Sequence, residues 1–264
     1  MKVIPLVENI SNTSLKAKHG LSLYIETTNH KVLFDLGPDT TLFKNAEKKK
    51  LDLTKIDIVI ISHGHVDHGG ALEKFLRINK QAKIYIQKSA FNPHFTKVLF
   101  LKTSVGLNKK LMYNPQIVLL NGDYKIDNEL MILVTPNTKK CHSPMNDCLY
   151  EGNHIDNFSH EQSLLVFDKA TTLFMGCGHC GVVNIMERAS KYQPSFCVGG
   201  FHLFNPINKK TVDNKLLDQI VSELSIYKEV LFYTCHCTGK KAYDYMSNKM
   251  DNLLYLSCGQ EINI

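Results

Sequence analysis

Asp57-Ile58-Val59-Ile60-Ile61-Ser62-His63-Gly64-His65-Val66-Asp67-His68-Gly69-Gly70 is the stretch on which the fold turns. The run Ile58-Val59-Ile60-Ile61 is β-branched and apolar throughout, and it predicts a buried strand over Asp57–Ser62. A helical pattern over Ala71–Asn79 follows at once. Side chains two apart on an extended chain share a face, so His63 and His65 can point at one ion. Gly64 puts no side chain between them. Asp67 and His68 can swing back beside the first pair, and Gly69 and Gly70 permit the tight entry to the helix. Three imidazoles and one carboxylate so close together form a nitrogen- and oxygen-rich donor set. Zn²⁺ suits it best, and Mn²⁺ or Fe²⁺ are accommodated too.

Outward from this loop, strands alternate with helices. Strands are expected at Leu21–Thr27, Lys31–Leu36, Lys83–Gln87, Ile117–Leu120 and Leu130–Thr135 in the first half. Ser163–Asp168, Thr172–Gly176, Phe196–Gly199, Val230–Thr234 and Leu253–Ser257 follow in the second. Helices fit Thr40–Lys50, Ala71–Asn79, Val182–Lys191, Val212–Ser225 and Lys240–Asn248, each amphipathic enough to cover a sheet on one face. This pattern predicts an α/β protein in which two mixed sheets lie face to face with helices outside. No linker rich in Gly, Pro or Ser interrupts it, so residues 1–264 are read as one domain. Segments 89–115 and 137–160 show no clear period, and are expected to form the rim and lid of the site.

Composition narrows the function. Hydrophobic residues are 44% and charged residues 21% of 264, an ordinary globular balance that excludes disorder. No apolar run approaches the ~18 residues that span a bilayer, and Glu8 comes too early for a secretory signal. A cytoplasmic protein without membrane contact is expected. The net charge of +6 is carried almost wholly by lysine, with Arg77 and Arg188 the only arginines. Nucleic-acid readers use arginine forks and interleaved aromatics, so a small anionic substrate is the better partner. The pairs Lys109-Lys110, Lys139-Lys140 and Lys209-Lys210 are candidates to meet it. Eight cysteines in a chain of this length are too sparse for a disulfide scaffold, and reduced thiols are expected. Were a bridge to form, Cys235–Cys237 or Cys177–Cys180 would be the suspects. His142, His154 and His160 fall in a polar segment and are expected to face solvent.

The motif His-x-His-x-Asp-His after an apolar strand, with Phe34-Asp35-Leu36-Gly37 upstream, resembles the metallo-β-lactamase superfamily. Met175-Gly176-Cys177-Gly178-His179-Cys180-Gly181, Gly199-Gly200-Phe201-His202-Leu203 and Cys235-His236-Cys237-Thr238-Gly239 are similar to one branch of it. Leu6-Val7-Glu8-Asn9 and His19-Gly20-Leu21-Ser22-Leu23 match the same branch. It is the one around a dihydropterin–ribofuranosyl-aminobenzene phosphate synthase of methanopterin biosynthesis. The resemblance implies a four-layer αβ/βα sandwich with one or two divalent metal ions at an edge between the sheets. It implies His63, His65, Asp67, His68, His179 and His236 as ligands. Asp35 would fix a ligand histidine by hydrogen bond. Cys177 stands where most members carry a bridging Asp, so it is a candidate ligand or a buried thiol. His202, at a strand end on the same edge, is a candidate substrate contact.

Three activities follow from that centre. The first is hydrolysis of a small, phosphorylated anion, with Asp67 as the catalytic carboxylate that orients the nucleophile. The second is a transferase that joins a dihydropterin pyrophosphate to an aminobenzene ribose phosphate. The third is a redox or metal-binding module like the superfamily's diiron flavoproteins. Those carry Glu where this chain has His65, and a flavin domain besides.

Overall fold

The computed structural model describes residues 1–98, 101–136 and 140–264. Two seven-stranded sheets form its body. The first runs in the order Ile262–Asn263, Lys2–Val7, Ser22–Glu26, Lys31–Phe34, Ile58–Ile60, Lys83–Gln87, Ile117–Leu120. It is antiparallel as far as Lys31–Phe34 and parallel beyond it. The second runs Leu253–Tyr255, Leu231–Thr234, Phe196–Gly199, Thr171–Phe174, Ser163–Phe167, Leu130–Leu133, Tyr124–Lys125. Its first four strands are parallel.

Strand periodicity assembles the layers. Val32, Phe34, Ile58 and Ile60 pack with Leu164, Val166, Phe174 and Val198 between the sheets. Leu33 and Val59 point the other way, against Leu42 and Ala46 of helix Thr41–Lys48 and Leu72 and Phe75 of helix Leu72–Ile78. On the far side, Leu165, Leu173, Cys197 and Phe232 meet helices Val182–Ala189, Asn214–Leu224 and Lys240–Ser247. The result is the four-layer αβ/βα sandwich with mixed sheets and helices outside.

The expected strands and helices form, most of them trimmed by one or two residues at an end. Strand Lys2–Val7 is an addition. Pro5, which donates no ladder hydrogen bond, hides it from a propensity reading; the register shifts between Pro5 and Val7. A larger departure concerns the two aperiodic segments. Residues from both pair into a four-stranded sheet, ordered His154–Ile155, Leu149–Glu151, His94–Val98, Leu101–Ser104. Strands this short, with one largely exposed ladder, leave no alternation to read. Residues 99–100 and 137–139, which fall inside those segments, lie outside the described residues.

At the end of the sandwich where strands Lys31–Phe34, Ile58–Ile60 and Leu130–Leu133 begin, His30 joins the two sheets. Its Nδ1 lies 2.5 Å from Asp57 Oδ2 and its Nε2 2.8 Å from Asp127 Oδ2. Burial disfavours the imidazolium, but the two carboxylates outweigh it and raise the His30 pKa. A raised folded-state pKa stabilises fully below the unfolded value and is lost as pH climbs through the folded one. His30→Gln should therefore cost roughly 1–2 kcal/mol at pH 6 and markedly less at pH 9. Urea melts of both proteins at the two pH values check this, and an equal loss at both would refute the charged pair.

Candidate metal centre

The carboxyl ends of the parallel strands of both sheets meet at one edge, and the predicted site residues gather there. Each ring's outer hydrogen bond fixes which nitrogen is bare. Asp35 accepts three bonds, from the Ser62 amide at 2.7 Å, the Ser62 hydroxyl at 2.7 Å and His68 Nδ1 at 2.6 Å. Because the Ser62 hydroxyl donates to Asp35, its oxygen accepts from His63 Nδ1 at 2.8 Å. His179 Nδ1 donates to Asn146 Oδ1 at 2.8 Å, and Asn146 Nδ2 donates back to the His179 carbonyl at 2.9 Å. His236 Nδ1 donates to Asn9 Oδ1 at 3.0 Å, and Asn9 Nδ2 donates to the His236 carbonyl at 3.1 Å. In all four rings Nδ1 carries a proton, and Nε2 is the nitrogen left to face the centre.

These nitrogens face each other. His63 Nε2 lies 3.3 Å from His179 Nε2, and His68 Nε2 lies 3.2 Å from His236 Nε2. Two bare nitrogens so placed repel unless a cation lies between them. His65 joins the first pair, with ligand atoms of His63, His65 and His179 all within 4.8 Å of one another. Its buried Nε2 has no hydrogen-bond partner. Asp67 joins the second pair, its Oδ2 3.7 Å from His68 Nε2 and 3.5 Å from His236 Nε2. Cys177 Sγ lies 3.2 Å from His68 Nε2. The residues present therefore fit two adjacent divalent ions, and spacings of this size are edges of a tetrahedral nitrogen and oxygen shell.

Charge agrees with geometry. Burial and the surrounding imidazoles push His63 and His179 well below the usual histidine range, which keeps them neutral as ligands must be. Burial lowers His68 as well, but Asp35 and Asp67 overcome it and raise it to about 9. Positive charge is thus favoured at its Nε2, a proton when no ion is bound and a divalent ion in the proton's place when one is. Burial opposes ionisation of Asp67, yet His68, His19 and His236 hold its carboxyl well below the usual range. Burial, the contact with Cys237 and the Asp67 charge push the Cys177 thiol up.

Several partners at the centre have roles that the sequence left open. Glu161 Oε1 and Oε2 accept the His179 and Cys180 amides, both at 2.7 Å, and Glu8 Oε1 accepts the His236 amide at 2.7 Å. Phe158 stacks on the His179 ring with centroids 4.3 Å apart. The Leu6-Val7-Glu8-Asn9 stretch was visible as a motif, and its work is now evident: it holds His236 by backbone and ring. His160, expected at the surface, is fully buried, because Asp156 and the Gly64 amide give its ring polar partners inside. His154 is exposed, and His142 is partly exposed beside Asp147. All eight cysteines are free, and Cys177 neighbours Cys237 across the centre rather than Cys180 beside it in sequence.

A cavity of about 260 Å³ opens over the centre. His65, Asp67, Cys177, His179, His202 and His236 reach it, and the His202 ring lies tilted against His179 with centroids 4.1 Å apart. Its walls are apolar, among them Val66, Val105, Met145, Leu149, Phe204 and Ile207. None of Lys109, Lys110, Lys140, Lys209 and Lys210 lines it. Lys140 is held instead by Glu187 at 2.5 Å and Glu223 at 2.8 Å, while Lys139 lies outside the described residues. A neighbouring cavity shares Phe204, Pro206 and His236 with the first, and presents Lys209, Lys240 and Lys241.

Comparison with known proteins agrees with this fold. The model of the metallo-β-lactamase superfamily matches residues 16–136. An uncharacterized protein of Methanocaldococcus jannaschii is 24% identical over 262 residues, covering 98% of both chains. The 7,8-dihydropterin-6-methyl-4-(β-D-ribofuranosyl)-aminobenzene-5'-phosphate synthase of the same organism is 26% identical over 270 residues, covering 92% of this chain and 89% of its own. Among solved structures, Tm1679, a metal-dependent hydrolase of the β-lactamase superfamily, superposes with a TM-score of 0.83. That match is at 24% identity and covers 100% of this chain and 99% of the other. An isothiocyanate hydrolase from Delia radicum gut bacteria superposes with a TM-score of 0.60 at 13% identity, covering 100% and 99%. None of the described helices is long and apolar enough to cross a membrane. With its αβ/βα sandwich and its histidine-rich edge, the chain has the metallo-β-lactamase fold, and residues 16–136 match the model of that superfamily.

Proposed function

We propose that the protein is a metal-dependent, hydrolase-like enzyme that acts on a small phosphorylated substrate. The two facing pairs of bare imidazole nitrogens carry this reading. His63, His65 and His179 would hold one ion, and Asp67, His68 and His236 a second. A bound divalent ion supplies Lewis acidity and lowers the pKa of a water to near 7. The chain's own residues do the rest. Asp67, at the cavity floor, accepts a hydrogen bond from the attacking nucleophile and fixes its direction. His202 borders the substrate from the other wall. The apolar walls exclude water from a flat organic group, and Lys209 and Lys241 next door meet its anionic end.

Metal-loaded protein assayed on a matched pair of phosphorylated and neutral esters tests this. Lys209→Glu with Lys241→Glu should lower kcat/KM for the phosphorylated ester by about tenfold or more, one charge-assisted contact being about 1.5 kcal/mol. The neutral ester should change by less than twofold. A shallow dependence on salt should accompany both, unlike the steep slope of a nucleic-acid binder. Equal losses on the two esters, or tight RNA binding with a steep slope, would sink the reading.

The named synthase relative favours a second reading, C–N transfer. Here an arylamine would attack a pterin methylene carbon and pyrophosphate would leave. Pyrophosphate release that requires the amine, with no turnover in its absence, would select it over hydrolysis.

A further inference from the structure

We propose that Asp156 and His160 are positioning residues that aim the His63-Gly64-His65 turn: Asp156 locks the His160 ring, and His160 accepts the Gly64 amide between the two candidate ligands. The proposal rests on the metal reading above, and nothing in the superfamily motif points to either residue. His65, His94, Asp156 and His160 are all buried, with one donor atom each inside 4.8 Å. Such a cluster invites a further cation. The hydrogen bonds argue otherwise.

A backbone amide can only donate. The Gly64 amide lies 3.0 Å from His160 Nδ1, so Nδ1 is the bare nitrogen and the proton sits on Nε2. That Nε2 donates to Asp156 Oδ2 at 3.1 Å. Both nitrogens of His160 are thereby committed, and neither is left for an ion. This is the reverse of the four rings at the centre, where Nδ1 donates and Nε2 is bare. Asp156 is equally committed: Oδ1 accepts the Phe158 amide at 2.7 Å, and Oδ2 also lies 2.9 Å from His94 Nδ1. His94 Nε2 lies 3.2 Å from the Ser89 carbonyl. The His94 ring and the Ala90 carbonyl occupy the space a side chain at Gly64 would need.

The consequence follows from where the bond lands. Gly64 is the softest backbone position in the turn, and its rotation would swing His63 and His65 apart. One hydrogen bond from its amide to a ring pinned at both nitrogens fixes the peptide plane on which both candidate ligands depend. Partners of this kind are worth about 10–100-fold in metal affinity.

Zn²⁺ affinity of the full chain, measured by competition with a chromophoric chelator, tests this with two near-isosteric variants. Asn places an acceptor where Nδ1 sits, whereas Gln reaches toward Asp156 and leaves the Gly64 amide bare. His160→Asn should stay within about threefold of wild type, and His160→Gln should lose about 10–100-fold. Thermal melts of the metal-free variants confirm that both are folded. Equal affinities of the two variants overturn the clamp. So does a His160→Ala protein that binds one ion fewer at saturation, since the cluster would then be a metal site itself. A wild-type chain that takes up no divalent ion overturns the reading of the centre, and is told apart from clamp failure because wild type and variants then behave alike. In ¹⁵N NMR, the His160 ring should show a bare Nδ1 coupled to the Gly64 amide; a protonated Nδ1 overturns the assignment independently of any metal.

Discussion

Replacing His63 and His65 together by alanine should strip the tightly held metal from the purified chain and leave it folded. Both rings lie at the sheet edge, and the three apolar clusters that form the core contain neither. Their loss removes two of the three nitrogen donors around the first position, so the fall in affinity should exceed the ~100-fold that an outer hydrogen-bond partner is worth. Elemental analysis of dialysed protein reads the metal, and far-ultraviolet circular dichroism reads the fold. Full metal retention by the double variant would remove the centre as described.

Asp35→Ala should be the most damaging single change outside the candidate ligands. The carboxylate is buried and accepts from the Ser62 amide, the Ser62 hydroxyl and His68 Nδ1. Truncation leaves all three donors unpaired at once. The cost should be roughly 3–5 kcal/mol, which in a protein of this size lowers Tm on the order of 10 °C. Metal affinity should fall about 10–100-fold as the His63 and His68 rings lose their orientation. Asp35 also has φ +64°, a conformation Asn tolerates and Ala resists. Asp35→Asn should therefore keep the backbone and part of the hydrogen bonding, and fall between wild type and Ala. Calorimetry and chelator competition on the three proteins check the order. A stable, metal-replete Asp35→Ala protein would refute the role of the carboxylate.

What the sequence made legible, it made legible locally. The alternation in Val32-Leu33-Phe34 sorts inner from outer sheet faces within three residues, and His63 to His68 announce a metal loop within six. The apparatus around that loop is built from distant pieces. His160 meets Gly64 across 96 positions and Asp156 meets His94 across 62, through strands too short to show a period. Reading the histidines of that segment as surface groups failed for His160 because composition cannot show which loop folds under a sheet. Lysine pairing picked out Lys209, which lines the basic cavity, but not the place of Lys140. Lys140 answers to Glu187 and Glu223 on helices, whereas Lys241, unnoticed in the sequence, lines the basic cavity. Cysteine proximity along the chain likewise named Cys180 as the neighbour of Cys177, where the fold supplies Cys237.

The spread of the candidate ligands along the chain bears on how the protein comes to be built. His63 faces His179 across 116 positions, and His68 faces His236 across 168. During synthesis the histidine loop emerges early, yet the rings that complete the two positions follow only after strands Thr171–Phe174 and Leu231–Thr234 of the second sheet. Closing loops of that length is the slow, entropically expensive part of assembly, and native packing must reward it before the nitrogens converge. On the proposed reading of the centre, tight ion capture would then be a late event. It would report that both halves have docked correctly, and a misfolded chain with its first loop intact would compete poorly for the same ion.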